Sequence, residues 1–263
     1  MRKTLKVVAF GGKPTDVDAQ AFITAAGITD STQKTAINTL VTDLKTYSIW
    51  NKMKAVYPMV GGTASTHKFN LKDPRDLDAA FRLVFSGGAT HSSTGWTPNG
   101  TNGYADTKFL ANTQYPNTTS KHLSFYLRTN NIPVNGDPVD MGAFNSGGGK
   151  DYLLSKNTTQ IGMLSDIIVL NNAQTDAKGF SLVTRSSTTN NLFKGNTKLN
   201  TNTGTGLNSP YNMYIGALNF NNPYGYTNNE FAFASIGDGL NDTEASNLYT
   251  IIQNYQTILS RQV

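Results

Sequence analysis

The sequence predicts a mainly β protein: an antiparallel β-sandwich preceded by helices and closed by one more helix. Three observations carry this. From Lys68 onward, short β-branched and aromatic runs alternate with Asn, Thr, Gly and Ser tracts spaced roughly 8–12 positions apart, the pattern of strands joined by turns. The segment before Arg82 is basic and repeats apolar residues at helical spacing. The chain closes on a single amphipathic stripe.

Taken in order, residues 1–15 read as an extended basic arm, with 7–10 as a short strand stopped by Gly11-Gly12-Lys13-Pro14. A first helix spans 17–26, capped by Asp16 and ended by Gly27. A second starts after Asp30, with Gln33 in the capping-box position and Ile37, Leu40, Val41 and Leu44 on one face. Ser48 caps a third helix over 49–56, which Pro58 and Gly61-Gly62 end. Strands are then expected over 67–71, 80–85, 104–109, 122–128, 139–144, 151–154, 162–170, 179–183, 191–199, 211–218 and 230–235. Asn- and Gly-rich tracts between them reach φ > 0 easily and mark the turns. Asn241 to Glu244 cap the last helix, whose Ala245, Leu248, Ile251, Ile252 and Tyr255 share a face that suits packing on the sandwich. The organisation is thus an N-terminal arm with helices, 1–60, and a sandwich with its terminal helix, 61–263.

At 263 residues and 38% hydrophobic, the chain can bury a sizeable core; with only 15% charged residues, its solubility rests on amides and hydroxyls. The absence of cysteine excludes disulfides, thiolate metal sites and a cysteine nucleophile. The net charge of +5 belongs to the N-terminal part: twelve Lys/Arg face seven Asp/Glu up to Arg82, and ten of each follow. Lys34, Lys45, Lys52, Lys54, Lys68 and Lys72 stand singly, which suits a solvated helix face rather than a nucleic-acid stripe. The apolar run after Met1-Arg2-Lys3 is broken by Lys6 and falls short of the roughly 7–15 residues of an export signal. No run approaches the ~20 residues of a membrane span.

Catalytic patterns are sparse. Glu230 and Glu244 are the two glutamates, and Glu244 sits in a helix cap. A retaining glycosidase needs two carboxylates about 5–5.5 Å apart; Asp16 with Asp18, Asp73 to Asp78, and Asp238 to Glu244 read as caps and turns, which leaves Asp137 and Asp140 as the nearest alternative. His67, His91 and His122 match no zinc spacing, although Thr66-His67 and Thr90-His91 share a setting that strands could bring together. A phosphate loop ending at Gly149-Lys150 would need glycine where Phe144 stands. No Gly-x-Ser-x-Gly elbow is present. Asp238 to Asp242 offers oxygen ligands without the spacing of a calcium loop. No cofactor is expected, with calcium between sandwich loops the one metal left open.

What remains is binding, and on such a scaffold binding sits in loops. Trp96, Tyr104, Tyr115, Tyr211, Tyr224 and Tyr226 lie in or beside Asn/Thr/Gly loops. An aromatic face next to amides can grip a sugar ring, apolar C–H face to ring and hydroxyls to amides; the alternative is that these rings pin the loops to the scaffold. Trp96, Tyr115, Tyr224 and Tyr226 are the candidate glycan contacts.

Three tracts carry a family likeness. Residues 40–85, from Leu40-Val41-Thr42-Asp43-Leu44 through Trp50 and Thr66-His67-Lys68-Phe69-Asn70 to Phe85, residues 98–107, and residues 233–249 resemble a virion protein family of crAss-like and related tailed phages of Bacteroidota. The likeness runs from about Ala19 to Val263. The stretches Gly179-Phe180, Thr184-Arg185 and Leu192-Phe193-Lys194-Gly195-Asn196 resemble laminin-G and concanavalin A-like sandwiches. The resemblance implies a concanavalin-like jelly roll in a virion structural protein, supplies no catalytic motif, and maps no laminin-G calcium ligands here. The expectation is a non-enzymatic, homo-oligomeric tail-fibre or tail-associated component at the virion surface. Its segment 1–60 docks on other virion proteins and its loops bind host-surface polysaccharide, with no nucleic-acid or membrane-inserted partner. Alternatives are a purely architectural head-decoration or head-fibre protein and a polysaccharide-cleaving enzyme, against which the scarce glutamate speaks.

Overall fold

The computed structural model describes residues 15–131, 138–155, 161–164, 167–170 and 176–263. Residues 1–14 of the arm, its expected strand over 7–10 and Asp137 lie outside them. The order is α1 (Val17–Ala25), α2 (Ser31–Thr46), β1 (Met53–Tyr57), α3 (Ala64–His67), β2 (Val84–Ser86), β3 (Ala89–Ser92), β4 (Gly95–Pro98), β5 (Tyr104–Leu110), α4 (Ala111–Gln114), β6 (Ser120–Leu127), β7 (Met141–Phe144), β8 (Lys150–Leu154), β9 (Ile161–Leu164) and β10 (Ile167–Leu170). It continues with β11 (Gly179–Ser186), β12 (Thr189–Lys194), β13 (Thr197–Thr203), β14 (Asn212–Ile215), β15 (Leu218–Asn219), β16 (Pro223–Tyr224), β17 (Phe231–Gly237) and α5 (Asp242–Ile258). The expected class holds: a mainly β sandwich with N-terminal helices and a C-terminal helix.

Local signals placed the helices. Asp16 accepts from the Asp18 N–H, Asp30 from the Gln33 N–H, and Asn241 and Glu244 cap α5 reciprocally. The third helix, expected over 49–56, does not form beyond one 3-10 turn at Trp50–Lys52. Its remainder is β1, paired antiparallel with β17. Both faces of β1 are covered, so Met53, Ala55, Val56 and Tyr57 are all buried and the alternation that separates strand from helix is missing. Where a strand was expected over 67–71, Thr63 caps the short α3 instead. The expected strands over 191–199 and 211–218 each divide in two, between β12 and β13 and between β14 and β15; the described residues of 162–170 belong to β9 and β10, and the β3–β4 hairpin was not anticipated.

One sheet runs β13-β12-β11-β6-β17-β4-β3, with β1 added on β17; the other runs β10-β9-β8-β7-β14-β5-β2, with β15 and β16 attached. Between the sheets lies one core, including Leu123, Phe125, Val183, Leu192 and Phe231 from the first and Ala105, Phe109, Met141, Leu153 and Ile215 from the second. The other face of the first sheet carries Tyr126, Phe180, Leu182 and Phe233 into a second core with α1, α2 and α5. The layers are therefore helices, first sheet, second sheet. No helix crosses the outer face of the second sheet among the described residues, and Tyr104, Asp106, Lys108, Phe144, Tyr152, Asn212 and Tyr214 on it are only partly buried.

Four of the six single lysines of the N-terminal part are held by carboxylates: Lys45 by Asp16 and Asp18, Lys52 by Glu244, Lys54 by Asp238, and Lys68 by Asp76. No helix among the described residues is long and apolar enough to cross a membrane.

Candidate functional site

Two of the four candidate glycan contacts lie in the core. Trp96 is 0% exposed, its ring between Phe85 at 5.3 Å and Phe231 at 5.5 Å. Gly216 makes room for it: a Cβ there would come within 2.7 Å of the indole, and the backbone sits at φ +86°. Tyr115 is 3% exposed, edge-on to Phe109 at 5.1 Å and beneath the Lys121 ammonium. A buried ring cannot stack on a sugar, so both assignments are corrected: these rings pin loops to the scaffold. Tyr224 is at the surface, 56% exposed, and Tyr226 is half-buried.

Tyr226 joins a group that loop composition did not single out. β5 alternates, with Ala105, Thr107 and Phe109 inward and Tyr104, Asp106 and Lys108 outward. On the neighbouring strand β14, Met213 and Ile215 point inward, and Asn212 and Tyr214 outward. Tyr104 and Tyr214 stack with ring centroids 4.6 Å apart and planes at 27°. The Tyr214 hydroxyl is pushed up to about 12, first by burial, then by the Asp106 carboxylate, Tyr104 and Tyr226. The Tyr226 hydroxyl is likewise raised by burial and by Tyr104.

A bulge fixes the carboxylate beside these rings. Between the pairs Asn212↔Leu110 and Tyr214↔Asp106 the register shifts, and Lys108 takes φ 59°. Asp106 then accepts from the Lys108 N–H at 2.8 Å, from Lys108 Nζ at 3.0 Å and from Asn212 Nδ2 at 3.4 Å. A carboxylate has about four acceptor sites, so one is left for a ligand hydroxyl. The row continues across the sheet as Val84, Asp106, Tyr214, Gly142 and Tyr152. At one end a groove lined by Ala64, Ser65, Lys68, Arg82 and Val84 follows the β2 edge. Towards the other, Phe144 meets Phe220 edge-on at 4.9 Å. The face combines flat apolar rings with a fixed acceptor and amide and ammonium donors, all reachable from solvent. The signal missed in the sequence is the strict alternation of β5, which sets Tyr104, Asp106 and Lys108 on one side.

The remaining candidates are structural. His67 and His91 do meet, Nδ1 to Nδ1 at 2.9 Å, with His67 1% exposed. His122 contacts the Asp238 carbonyl and Ser235, which in turn meets Ser124; His122 and both serines are 0% exposed. Asp140 is buried, accepting from the Ser155 N–H and hydroxyl at 2.6 Å, and burial raises its carboxyl. Among the described residues no group of three or more His, Cys, Asp or Glu could hold a metal ion.

No family model matches the chain, and no curated protein does. Solved structures do share its fold. A mutant of Trypanosoma rangeli sialidase displaying trans-sialidase activity is 12% identical, with a TM-score of 0.50 over 85% of this chain. The Trypanosoma rangeli sialidase in complex with a difluoro-KDN is 14% identical, with a TM-score of 0.51 over 82%. The chain spans 39% of each of these two, so the likeness is one of fold over part of a larger protein. Domain 4 of AbnA, a GH43 arabinanase from Geobacillus stearothermophilus in complex with arabinotriose, is 9% identical and matches 75% of this chain and 98% of its own, with a TM-score of 0.45. The expectation of a non-enzymatic protein is corrected by the two sialidase matches, because the fold occurs within those enzymes.

Proposed function

We propose that the chain recognises glycan on the outer face of its second sheet, with Tyr104 and Tyr214 as the stacking platform. Tyr226 extends that platform, and Asp106, Lys108 and Asn212 take the ring hydroxyls. One observation carries this reading: a stacked tyrosine pair, partly exposed and next to a bulge-fixed carboxylate with acceptor capacity to spare. Two rings stacked on each other from adjacent strands leave their outward faces and edges for a sugar's C–H face, and the polar rim supplies orientation.

The biological setting proposed with it rests on the sequence resemblance: a virion protein of a tailed phage, surface-exposed and tail-associated, with host-surface polysaccharide as the glycan. Contacts between 1–60 and other virion proteins, and assembly of several copies, belong to the same proposal.

Titration calorimetry against purified capsular and cell-wall polysaccharides tests the site. Tyr214→Ala and Tyr104→Ala should each weaken binding roughly 2- to 10-fold, the range of one aromatic contact, with little change in melting temperature. Binding undiminished in the double variant, or lost equally on altering the opposite helical layer, would place recognition elsewhere.

A further inference from the structure

Two arginines of this chain are wholly enclosed, and the contrast between them is informative. Arg261, 1% exposed, donates to the carbonyls of Met59, Pro58 and Ala232 and to Gln256 Oε1. Arg185, 0% exposed, donates from Nη2 to the Gly204 carbonyl at 2.7 Å, while its Nε and Nη1 meet no acceptor among the described residues. Its partner across the β11–β12 pairing is Asn190, also 0% exposed, whose Oδ1 and Nδ2 both meet no partner among the described residues. On the other side Arg185 pairs with Lys121 of β6.

These side chains point between the sheets. Lys121, Arg185 and Asn190 each lie two residues from Leu123, Val183 and Leu192 of the inter-sheet core, and side chains two apart on a strand share a face. Lys121 Nζ crosses to the second sheet, meeting Asp151 at 2.6 Å and Asn208 at 2.5 Å. Asp151 also accepts from the Ser209 N–H at 2.9 Å. Asp151 is the carboxylate whose charge reaches Arg185, yet its oxygens are engaged by Lys121 and Ser209. Among the described residues, two enclosed cations thus share one carboxylate at this end of the sandwich, and the Tyr115 hydroxyl beside Lys121 is a further group with no partner. A buried guanidinium short of both charge and acceptors is among the most expensive arrangements in a protein interior.

We propose that Arg185 and Asn190 hold a compact inorganic anion, of chloride's size and charge, enclosed between the two sheets. Arg185 Nε–H and Asn190 Nδ2–H are its donors, and its charge balances the second cation. With these atoms fully enclosed, the anion enters as the sandwich closes and acts as part of the fold, separately from the tyrosine face.

The test is thermal unfolding of the full chain in sodium bromide, sodium chloride or sodium gluconate at equal ionic strength, together with anomalous scattering from crystals grown in bromide. Each tenfold rise in halide above its dissociation constant should raise the midpoint by roughly 3–5 °C. Arg185→Gln and Asn190→Leu should remove that dependence, and bromide should appear beside Arg185 Nε. Should neither variant fold, the wild-type halide series and the bromide peak decide alone. Equal midpoints in halide and gluconate, water in place of bromide, or a bromide peak with no stabilisation (an adventitious ion only) would each overturn the proposal.

Discussion

Trp96 and Tyr214 have opposite histories. Trp96 lies between Gly95 and Thr97 just before a run of Asn and Gly, the setting of a ligand-gripping ring, yet it is enclosed against Phe231 and Gly216. Tyr214 lies mid-strand, where composition suggests core, yet it faces solvent beside Tyr104. The difference is which side of a strand the residue occupies and what that side meets. Trp96→Ala should therefore cost about 3–5 kcal/mol, seen as a lower urea midpoint, while affinity for glycan at a permissive temperature stays unchanged. Asp106 was legible only as a charge; its capacity to orient a ligand comes from the bulge that turns the Lys108 N–H onto it.

At the scale of elements, the α3 turn and the β3–β4 hairpin are joined by two neutral histidines. His67 Nε2 accepts from the Gly62 N–H at 3.3 Å, so its proton lies on Nδ1 and is donated to His91 Nδ1. Burial, the neighbouring His91 and Arg261 hold His67 down at about 3, and burial holds His122 at about 4 despite its bond to the Asp238 carbonyl. Both pKa values lie below the unfolded value of about 6.5, so the unfolded chain binds more protons than the folded one across the interval. Stability is then full above pH ~6.5 and falls as pH drops towards 4, with a limiting slope near 1.4 kcal/mol per pH unit for each histidine. Urea midpoints from pH 7 to 4.5 should fall accordingly, and replacing His122 with Asn should lessen the slope; a flat profile above pH 5 would contradict the buried neutral pair. Helix caps were readable from sequence because a cap spans four residues. The identity of β1 was not, because its partner β17 lies about 180 residues away.

For the whole molecule, the helical layer is locked to the first sheet through Arg261, which reaches the carbonyls of Pro58 and Met59 after β1 and of Ala232 in β17. Arg261→Met would strand the Met59 carbonyl in a dry interior at roughly 1–3 kcal/mol, while the Pro58 and Ala232 carbonyls keep the Tyr255 hydroxyl and the Gln256 amide as donors; the urea midpoint should drop, with Arg261→Lys recovering part of the loss. Covering the first sheet in this way leaves the second sheet's outer face, among the described residues, as the broad sheet surface open to a ligand, and this is why recognition is proposed there and not in the loops.

Sequence alone determined what depends on near neighbours: the mainly β class from turn spacing, α1 and α2 from Asp16 and Asp30, and α5 from its cap and apolar stripe. Only the tertiary structure decided which aromatics are core and which are surface, that 53–57 is a strand, and that Tyr104, Asp106 and Tyr214 converge. The physical reason is that burial and convergence are properties of strand pairs and stacked layers formed by residues tens to hundreds of positions apart, and no local pattern encodes which layer will cover a given face.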